Sequence, residues 1–321
     1  MERHMAGRLD GRVAIVTGGG GGIGRQFALL LASEGASVLV NDLGTRTGAD
    51  AASVVAEIEA AGGRAVADTN SATWSGADAI VQHAIDAFGR VDMLFNNATA
   101  GGHPAHLWEV TEEAWDTSFE VNVKGYFAMT RAVALHFIRQ RSGVILNMSS
   151  GAGFGHPAMQ AYASTKEAVI GLTRTVAREL GRFGIRCNAI RPLALAQSSD
   201  EYMVVMAPWL KLLALTTGGG GIRPEESGAN PTTHPPAKIA PMGVWLATDA
   251  AREVNGRTFH VRGDNIALFN EPTYESAIHH AGGWTLDALD AEAPEGLFKG
   301  VKNDFLLNDH PDLQHFEEAA E

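Results

Sequence analysis

Two kinds of apolar pattern alternate along the chain. Short unbroken runs rich in Val, Ile and Leu recur at "RVAIVT" (12–17), "SVLVND" (37–42), "RAVADT" (64–69), "VDMLFNN" (91–97), "GVILNMSS" (143–150), "IRCNAIRP" (185–192) and "GRTFHV" (256–261). Runs of this length and make-up suit strands buried on both faces. Between them, 25–36, 48–63, 76–89, 161–184 and 238–250 carry apolar residues at helical spacing. The pattern also predicts one long helix from about Glu112 to Arg139, with Thr111 as its cap. Strand alternating with helix predicts an α/β fold: a doubly wound parallel sheet with helices on both faces and ligands at the carboxyl ends of the strands.

Two stretches break the rhythm. Residues 193–236 combine Gly218–Gly221, Pro224, Pro231, Pro235 and Pro236 with an apolar piece, "YMVVMAPWLKLLAL" (202–215), and are predicted to form a lid with a hydrophobic underside. Residues 264–321 form an acidic extension carrying Trp284, Leu286, Phe298 and Phe305, which would cover the substrate mouth or reach a neighbouring subunit. The domain proper is expected at 9–263.

Composition narrows the function classes. With 321 residues, 45% of them hydrophobic and 19% charged, the chain supports a substantial core. A formal charge of -12 argues against non-specific nucleic-acid binding, which feeds on a basic surface. The single cysteine, Cys187, rules out a disulfide within the chain and argues against a cysteine-based zinc site, and no other convincing metal spacing is present. The N-terminal residues hold no apolar stretch typical of a signal peptide, and no run of about 18 apolar residues predicts a membrane span, so a cytoplasmic location is the expectation.

The glycines in "VAIVTGGGGGIGRQFALLL" (13–31) lie between a strand and a helix, and a second strand follows. A linker is not bracketed in this way, whereas Gly218–Gly221 has no such frame and reads as a loop. Gly18 suits the tight turn leaving the strand, Gly22 lets a pyrophosphate approach the backbone, and Gly24 lets the helix sit close on the sheet. Free N–H groups at the helix start then face the anion. Asp42, about 20 residues past the glycines, ends the second strand; a carboxylate there accepts from both ribose hydroxyls of an adenosine and repels a 2′-phosphate, which favours NAD over NADP. This is the Rossmann arrangement.

"AYASTKEA" (161–168) places Tyr162 and Lys166 on one face of a predicted helix. A phenol with its ordinary pKa near 10 is a poor base at neutral pH, and an ammonium beside it favours the phenolate. Such a pair can take an alcohol proton while hydride leaves for a nicotinamide, or act in reverse. A hydroxyl from "NMSS" (147–150), just before this helix, can steady the substrate oxygen. Asn122 falls inside the long predicted helix, a local misfit that calls for solvent exposure or a polar network.

Taken together, "TGGGGGIG", "NNA" at 96–98, Asn122, "SS" at 149–150 and "YASTK" at 162–166 resemble the short-chain dehydrogenase/reductase family over residues 9 to about 263. The resemblance implies Tyr162 as acid/base, Lys166 as the residue that lowers its pKa and binds the nicotinamide ribose, Ser150 as holder of the substrate oxygen, and Asn122 as anchor of a water in a proton relay. For the cofactor it implies Gly18, Gly22, Ile23, Gly24, Asp42, Asn70, Ser71, Asn96, Ala98, Tyr162, Lys166 and Pro192. It also implies a tetramer or dimer. "VLVNDLG", "FGRVDMLFNNA" and "GRTFHVRGDNIAL" are similar to the NAD-linked 3-hydroxyacyl-CoA dehydrogenase modules of peroxisomal multifunctional enzymes and their stand-alone bacterial relatives. The implied substrate is a small alcohol or ketone: a 3-hydroxyacyl thioester first, a steroid or cyclic terpenoid alcohol second. A non-catalytic nucleotide-sensing protein on the same fold would keep the glycines, but would have no need of Tyr162, Lys166 and Asn122.

The chain departs from the family pattern in several places. Thr99 follows Asn96-Asn97-Ala98 where the family has glycine, putting a side chain near the nicotinamide side. Leu193 follows Pro192 where glycine is usual. Asn70 replaces an aspartate that faces the adenine. Ser149 stands 13 residues before Tyr162, the usual gap, and Ser150 stands 12 before it. Strand alignment favours Ser150, and the two point to opposite faces, so only one can serve. His103 and His106 follow the fourth strand near the expected mouth.

Overall fold

The computed structural model describes residues 7–45, 48–101, 104–194, 209, 232 and 234–303. Eight strands form one sheet in the order β3-β2-β1-β4-β5-β6-β7-β8. They are β1 (Val13–Thr17), β2 (Ser37–Asn41), β3 (Arg64–Asp68), β4 (Met93–Asn96), β5 (Gly143–Met148), β6 (Ile185–Leu193), β7 (Thr258–Arg262) and β8 (Asn265–Leu268). The first seven are parallel, and β8 returns antiparallel on β7. The order reverses between β1 and β4, which opens a crevice at the carboxyl ends of these two strands.

Alternation within the strands builds two cores. Ala14 and Val16 of β1, Val38 and Val40 of β2, and Met93 and Phe95 of β4 join one cluster with Phe27 and Leu31 of α1 (Gly22–Ser33). That layer also holds α2 (Ala51–Ala60) and α7 (Ala240–Ala247). Ile15, Leu39, Leu94 and Ile145 face the opposite way, onto α3 (Ala77–Phe88), α5 (Tyr126–Gln140) and α6 (Gln160–Leu180). Both sheet faces are therefore dry, and this is why the strands read as continuous apolar runs. Each fully buried Phe, Leu or Ile contributes roughly 1.5–3 kcal/mol by leaving water.

The long helix predicted for 112–139 is three segments in succession. These are α4 (Glu112–Phe119), capped by the Thr111 side chain at the Ala114 amide, a π-helical turn over Glu120–Gly125, and α5. The sheet also runs past residue 263 into β8, whose four residues are all exposed and so carry no burial pattern in the sequence. In the C-terminal extension, α8 (Leu286–Gly296) starts at Thr285, whose side chain accepts from Ala288 N. Most of the predicted lid at 193–236 lies outside the described residues, as do His103, Phe305 and the chain beyond 303. Among the described residues no helix is long and apolar enough to cross a membrane.

Candidate active site

Gly18, Asp42, Asn70, Ser71, Ala98 and Ser150 follow the carboxyl ends of β1 to β5, Asn96 and Pro192 lie within β4 and β6, and Asn122, Tyr162 and Lys166 come from the π-helical turn and α6. At β1 the backbone turns on Gly18, whose φ is +62°, and α1 begins at Gly22 with φ +52°. A Cβ on Gly22 would meet nothing within 4 Å, so this amide is open to an approaching group. At Gly24 the opposite holds: a Cβ would lie 2.0 Å from the Gly18 carbonyl oxygen and 2.5 Å from Asn97 Nδ2. The first turn of α1 has no side-chain cap. An open backbone at an uncapped helix start fits the pyrophosphate of a dinucleotide. Gly24→Ala forces α1 off the turn and is expected to destabilise by about 1–3 kcal/mol. Cofactor affinity falls with it. Thermal melting and a cofactor titration check this; a variant that matches the parent in both refutes the close-packing account.

Two residues that the motifs contain without an assigned role fix this turn. Thr17 Oγ1 accepts from the amides of Asn97 (3.0 Å) and Ala98 (3.1 Å). Asn97 Nδ2 donates to the carbonyls of Thr17 (3.1 Å) and Gly18 (3.0 Å). The strand ends of β1 and β4 are thereby stitched together across the crevice. Asn96 is buried on the α5/α6 side, where Nδ2 donates to Asn147 Oδ1 at 2.9 Å.

Asp42 stands just past β2, half-buried. Its Oδ2 accepts from Gly20 N (3.0 Å) and its Oδ1 from Gly44 N (2.9 Å). A carboxylate has about four acceptor sites, so capacity remains for ribose hydroxyls. Beyond it lies a cavity of about 640 Å³ lined by residues that include Gly20, Arg25, Gly44 and Asp50. Asn70 is exposed, with its Nδ2 donating to Asp68 Oδ2 (2.9 Å), and Ser71 Oγ bonds Thr73 Oγ1 (3.1 Å). Asp68 also accepts from Asn41 Nδ2 and bonds His83 Nδ1 at 2.8 Å. Burial pushes its carboxyl up, but the His83, Asn41 and Asn70 hydrogen bonds together hold it below the usual range.

Tyr162 and Lys166 lie one turn apart on α6. Lys166 is buried, with Nζ 3.0 Å from the Met148 carbonyl oxygen and 5.3 Å from the ring centroids of both Tyr162 and Tyr126. Desolvation lowers its ammonium from 10.5 to about 7. Tyr126, fully buried beside it, donates from its hydroxyl to the same carbonyl (3.3 Å). The Tyr126 phenol is raised well above its ordinary range, first by burial and then by Tyr162.

The two serines divide as strand geometry requires. Ser149 is buried, and its Oγ donates to the Lys166 carbonyl at 2.6 Å, so its hydroxyl ties β5 to α6. Ser150 is partly exposed, and its Oγ accepts from Ala152 N at 3.1 Å, which orients the oxygen while leaving its proton to donate.

Asn122 resolves its helical misfit with a polar network. It sits in the π-helical turn, fully buried. Its Oδ1 accepts from Thr99 Oγ1 and Ala100 N (both 3.0 Å), and its Nδ2 donates to the Ala100 carbonyl (2.9 Å) and Thr165 Oγ1 (3.1 Å). Thr165 Oγ1 in turn donates to the Tyr162 carbonyl at 2.7 Å. The Thr99 hydroxyl, where the family pattern has glycine, is thus turned onto Asn122. Pro192 lies within β6 paired with Val261, and the strand continues through Leu193. His106 stacks on Trp108 (4.7 Å) and meets Trp209 edge-on (5.0 Å), and Trp209 also packs on the cluster that holds Tyr162.

Comparison with known proteins places this site in context. Residues 12–201 match the short chain dehydrogenase family. A 3-oxoacyl-[acyl-carrier-protein] reductase of Synechocystis is 38% identical over 80% of this chain and 98% of its own length. The peroxisomal multifunctional enzyme type 2 of Drosophila melanogaster is 43% identical over 60% of this chain, which spans only 33% of that enzyme. A solved structure of 7α-hydroxysteroid dehydrogenase, complexed with NADH and 7-oxo glycochenodeoxycholic acid, superposes with a TM-score of 0.67. It is 32% identical and covers 82% of this chain and 98% of its own.

Proposed function

The chain belongs to the short-chain dehydrogenase family of oxidoreductases, and from that premise we infer that it interconverts a secondary alcohol and a ketone with NAD, on a 3-hydroxyacyl thioester. The observation that carries this reading is the pair on α6, a phenol one turn from a buried ammonium, with the partly exposed Ser150 just past the end of β5. NAD, when bound, supplies the hydride acceptor. Gly18, Gly22, Ile23 and Gly24 would hold its pyrophosphate, Asp42 the adenosine ribose, and Lys166 the nicotinamide ribose. Ser150 donates to the substrate oxygen and holds it toward Tyr162. Tyr162 takes the hydroxyl proton in oxidation and returns it in reduction. Lys166 favours the phenolate whenever it carries its proton. Asn122, gripped by the 99–100 loop and Thr165, keeps the turn beneath Tyr162 in place.

The thioester class is supported by the 3-oxoacyl reductase and multifunctional-enzyme relatives. The hydroxysteroid dehydrogenase likeness favours a second reading, a steroid or cyclic alcohol. Self-association is part of the proposal, as the family resemblance implies. NAD reduction with a panel of 3-hydroxyacyl thioesters and hydroxysteroids tests the substrate. The highest kcat/KM on a steroid overturns the thioester assignment.

Cofactor choice has its own test. With Asp42 accepting from the ribose, Asp42→Ala is expected to weaken NAD binding by about tenfold or more, the value of hydrogen bonds to a charged group. NADP binding strengthens as the repulsion goes. Fluorescence titration of both cofactors against both proteins decides it; a parent protein that binds NADP more tightly than NAD refutes the assignment.

A further inference from the structure

Arg191 is an unusual occupant of a strand interior. Its side chain is 3% exposed at the carboxyl end of β6, between β5 and β7. A guanidinium cannot shed its charge in a protein, so it must be paired and hydrogen-bonded where it is buried. Its partners are specific. Nη1 donates to the Ser150 carbonyl at 2.8 Å, and Nη2 meets Glu167 Oε2 at 2.5 Å. The plane lies over the Phe154 ring at 4.1 Å and over Phe269 at 5.7 Å, and the two rings are 5.2 Å apart. A Cβ on Gly153 would sit 2.5 Å from Nη1 and 3.0 Å from Glu167 Oε2. The turn after β5 is therefore shaped around this group.

We propose that Arg191 is a positioning residue for the reaction: by holding the Ser150 carbonyl against Glu167 on α6, it sets where the Ser150 hydroxyl meets the substrate oxygen. The proposal rests on the reading of Ser150 as the substrate-oxygen holder. Glu167 is the residue after Lys166, so one fork joins the serine just past β5 to the helix that carries the tyrosine and lysine. Phe269, just past β8, closes the outer side of the fork. Next to it, Glu271 pairs with Arg174 of α6 at 2.8 Å, fastening this start of the C-terminal extension against the same helix. The extension thus contributes to the precision of the serine and need not touch substrate itself.

Lysine cannot reproduce a planar fork with two fixed donors. Arg191→Lys is expected to lower kcat by about tenfold, since displacements under 1 Å are costly in a reaction of this kind. Cofactor Kd is unchanged. A merely structural role would also lower kcat, so the deciding measurement is a double-mutant cycle with Ser150→Ala. If Arg191 acts through Ser150, Arg191→Lys has no further effect on kcat in the Ser150→Ala background. If the two losses multiply, Arg191 acts elsewhere and the proposal is overturned, while the Ser150 assignment stands. If Ser150→Ala alone leaves kcat unchanged, both fall. Should Arg191→Lys not fold, Glu167→Gln loosens the same fork from its half-exposed partner and enters the same cycle, with the same two outcomes.

Discussion

Tyr162→Phe lowers kcat/KM for alcohol oxidation by about 100- to 10,000-fold, the range that a positioned acid/base contributes. Phenylalanine keeps the ring that packs with Met159, Ala152 and Trp209, so the fold is expected to persist. It removes only the oxygen that exchanges the proton. Dinucleotide affinity should stay within about threefold of the parent, because a loss confined to the transition state leaves ground-state binding alone. Steady-state oxidation of the best alcohol of the panel, with a parallel cofactor titration, gives both numbers. Turnover at the parent's rate would show that another group moves the proton, and the roles of Tyr162 and Lys166 would have to be reassigned together.

Lys166→Met makes the cofactor-free protein more stable at neutral pH while it removes activity. The unfolded chain titrates this ammonium near 10.5 and the folded chain at about 7. Between those values the unfolded state binds more protons, so this group's contribution to stability rises with pH across that window. Its penalty is absent above about 10.5, grows as pH falls, and is complete below about 7. At about 1.4 kcal/mol for each pKa unit, the penalty at neutral pH is a few kcal/mol. Methionine fills the same space without charge. The Met148 carbonyl it abandons still accepts from Tyr126, so no acceptor is orphaned. We expect the variant to gain about 2–4 kcal/mol at pH 7 and almost nothing near pH 10. Denaturant unfolding at both pH values measures it. An equal difference at the two pH values, or a variant less stable at pH 7, refutes the buried-charge account. The site is thus one where chemistry and stability oppose each other.

The sequence carried the parts of this molecule that follow from repetition or from rare residue combinations. Continuous apolar runs marked the inner parallel strands because both of their faces are buried, and the edge strand β3 because it is partly so. The glycines near β1 were legible because few other residues tolerate a φ of +62°, and the Tyr162/Lys166 spacing because it stands in order with the glycines, "NNA", Asn122 and the serines. β8 escaped because four exposed positions leave no periodic trace. The π-helical turn at 120–125 escaped because its apolar spacing still reads as helix, although Asn122 in its midst was the signal of a polar network. Thr17, Asn97 and Thr165 stood inside the motifs without a role: Thr17 and Asn97 meet each other's backbone and Thr165 meets the Asn122 side chain, contacts between residues far apart in sequence that only the folded chain brings together. The Ser149/Ser150 ambiguity was real at the level of spacing. In the folded chain the Ser149 hydroxyl is committed to the Lys166 carbonyl, while the Ser150 oxygen accepts from Ala152 N, which supports the proposed role of Ser150.

The widened turn at 120–125 has a rotational consequence. Successive residues of a regular helix advance by about 100°. One surplus residue in a single turn therefore rolls everything upstream by about that angle relative to everything downstream. The segment 126–140 keeps Met129, Val133 and Phe137 on the sheet, while 112–119 is free to present a different azimuth, with Ser118 as its one buried residue. Two orientations that a straight rod could not satisfy at once are thus accommodated within one continuous span, and the swivel falls on the asparagine that the phenol's own turn leans upon.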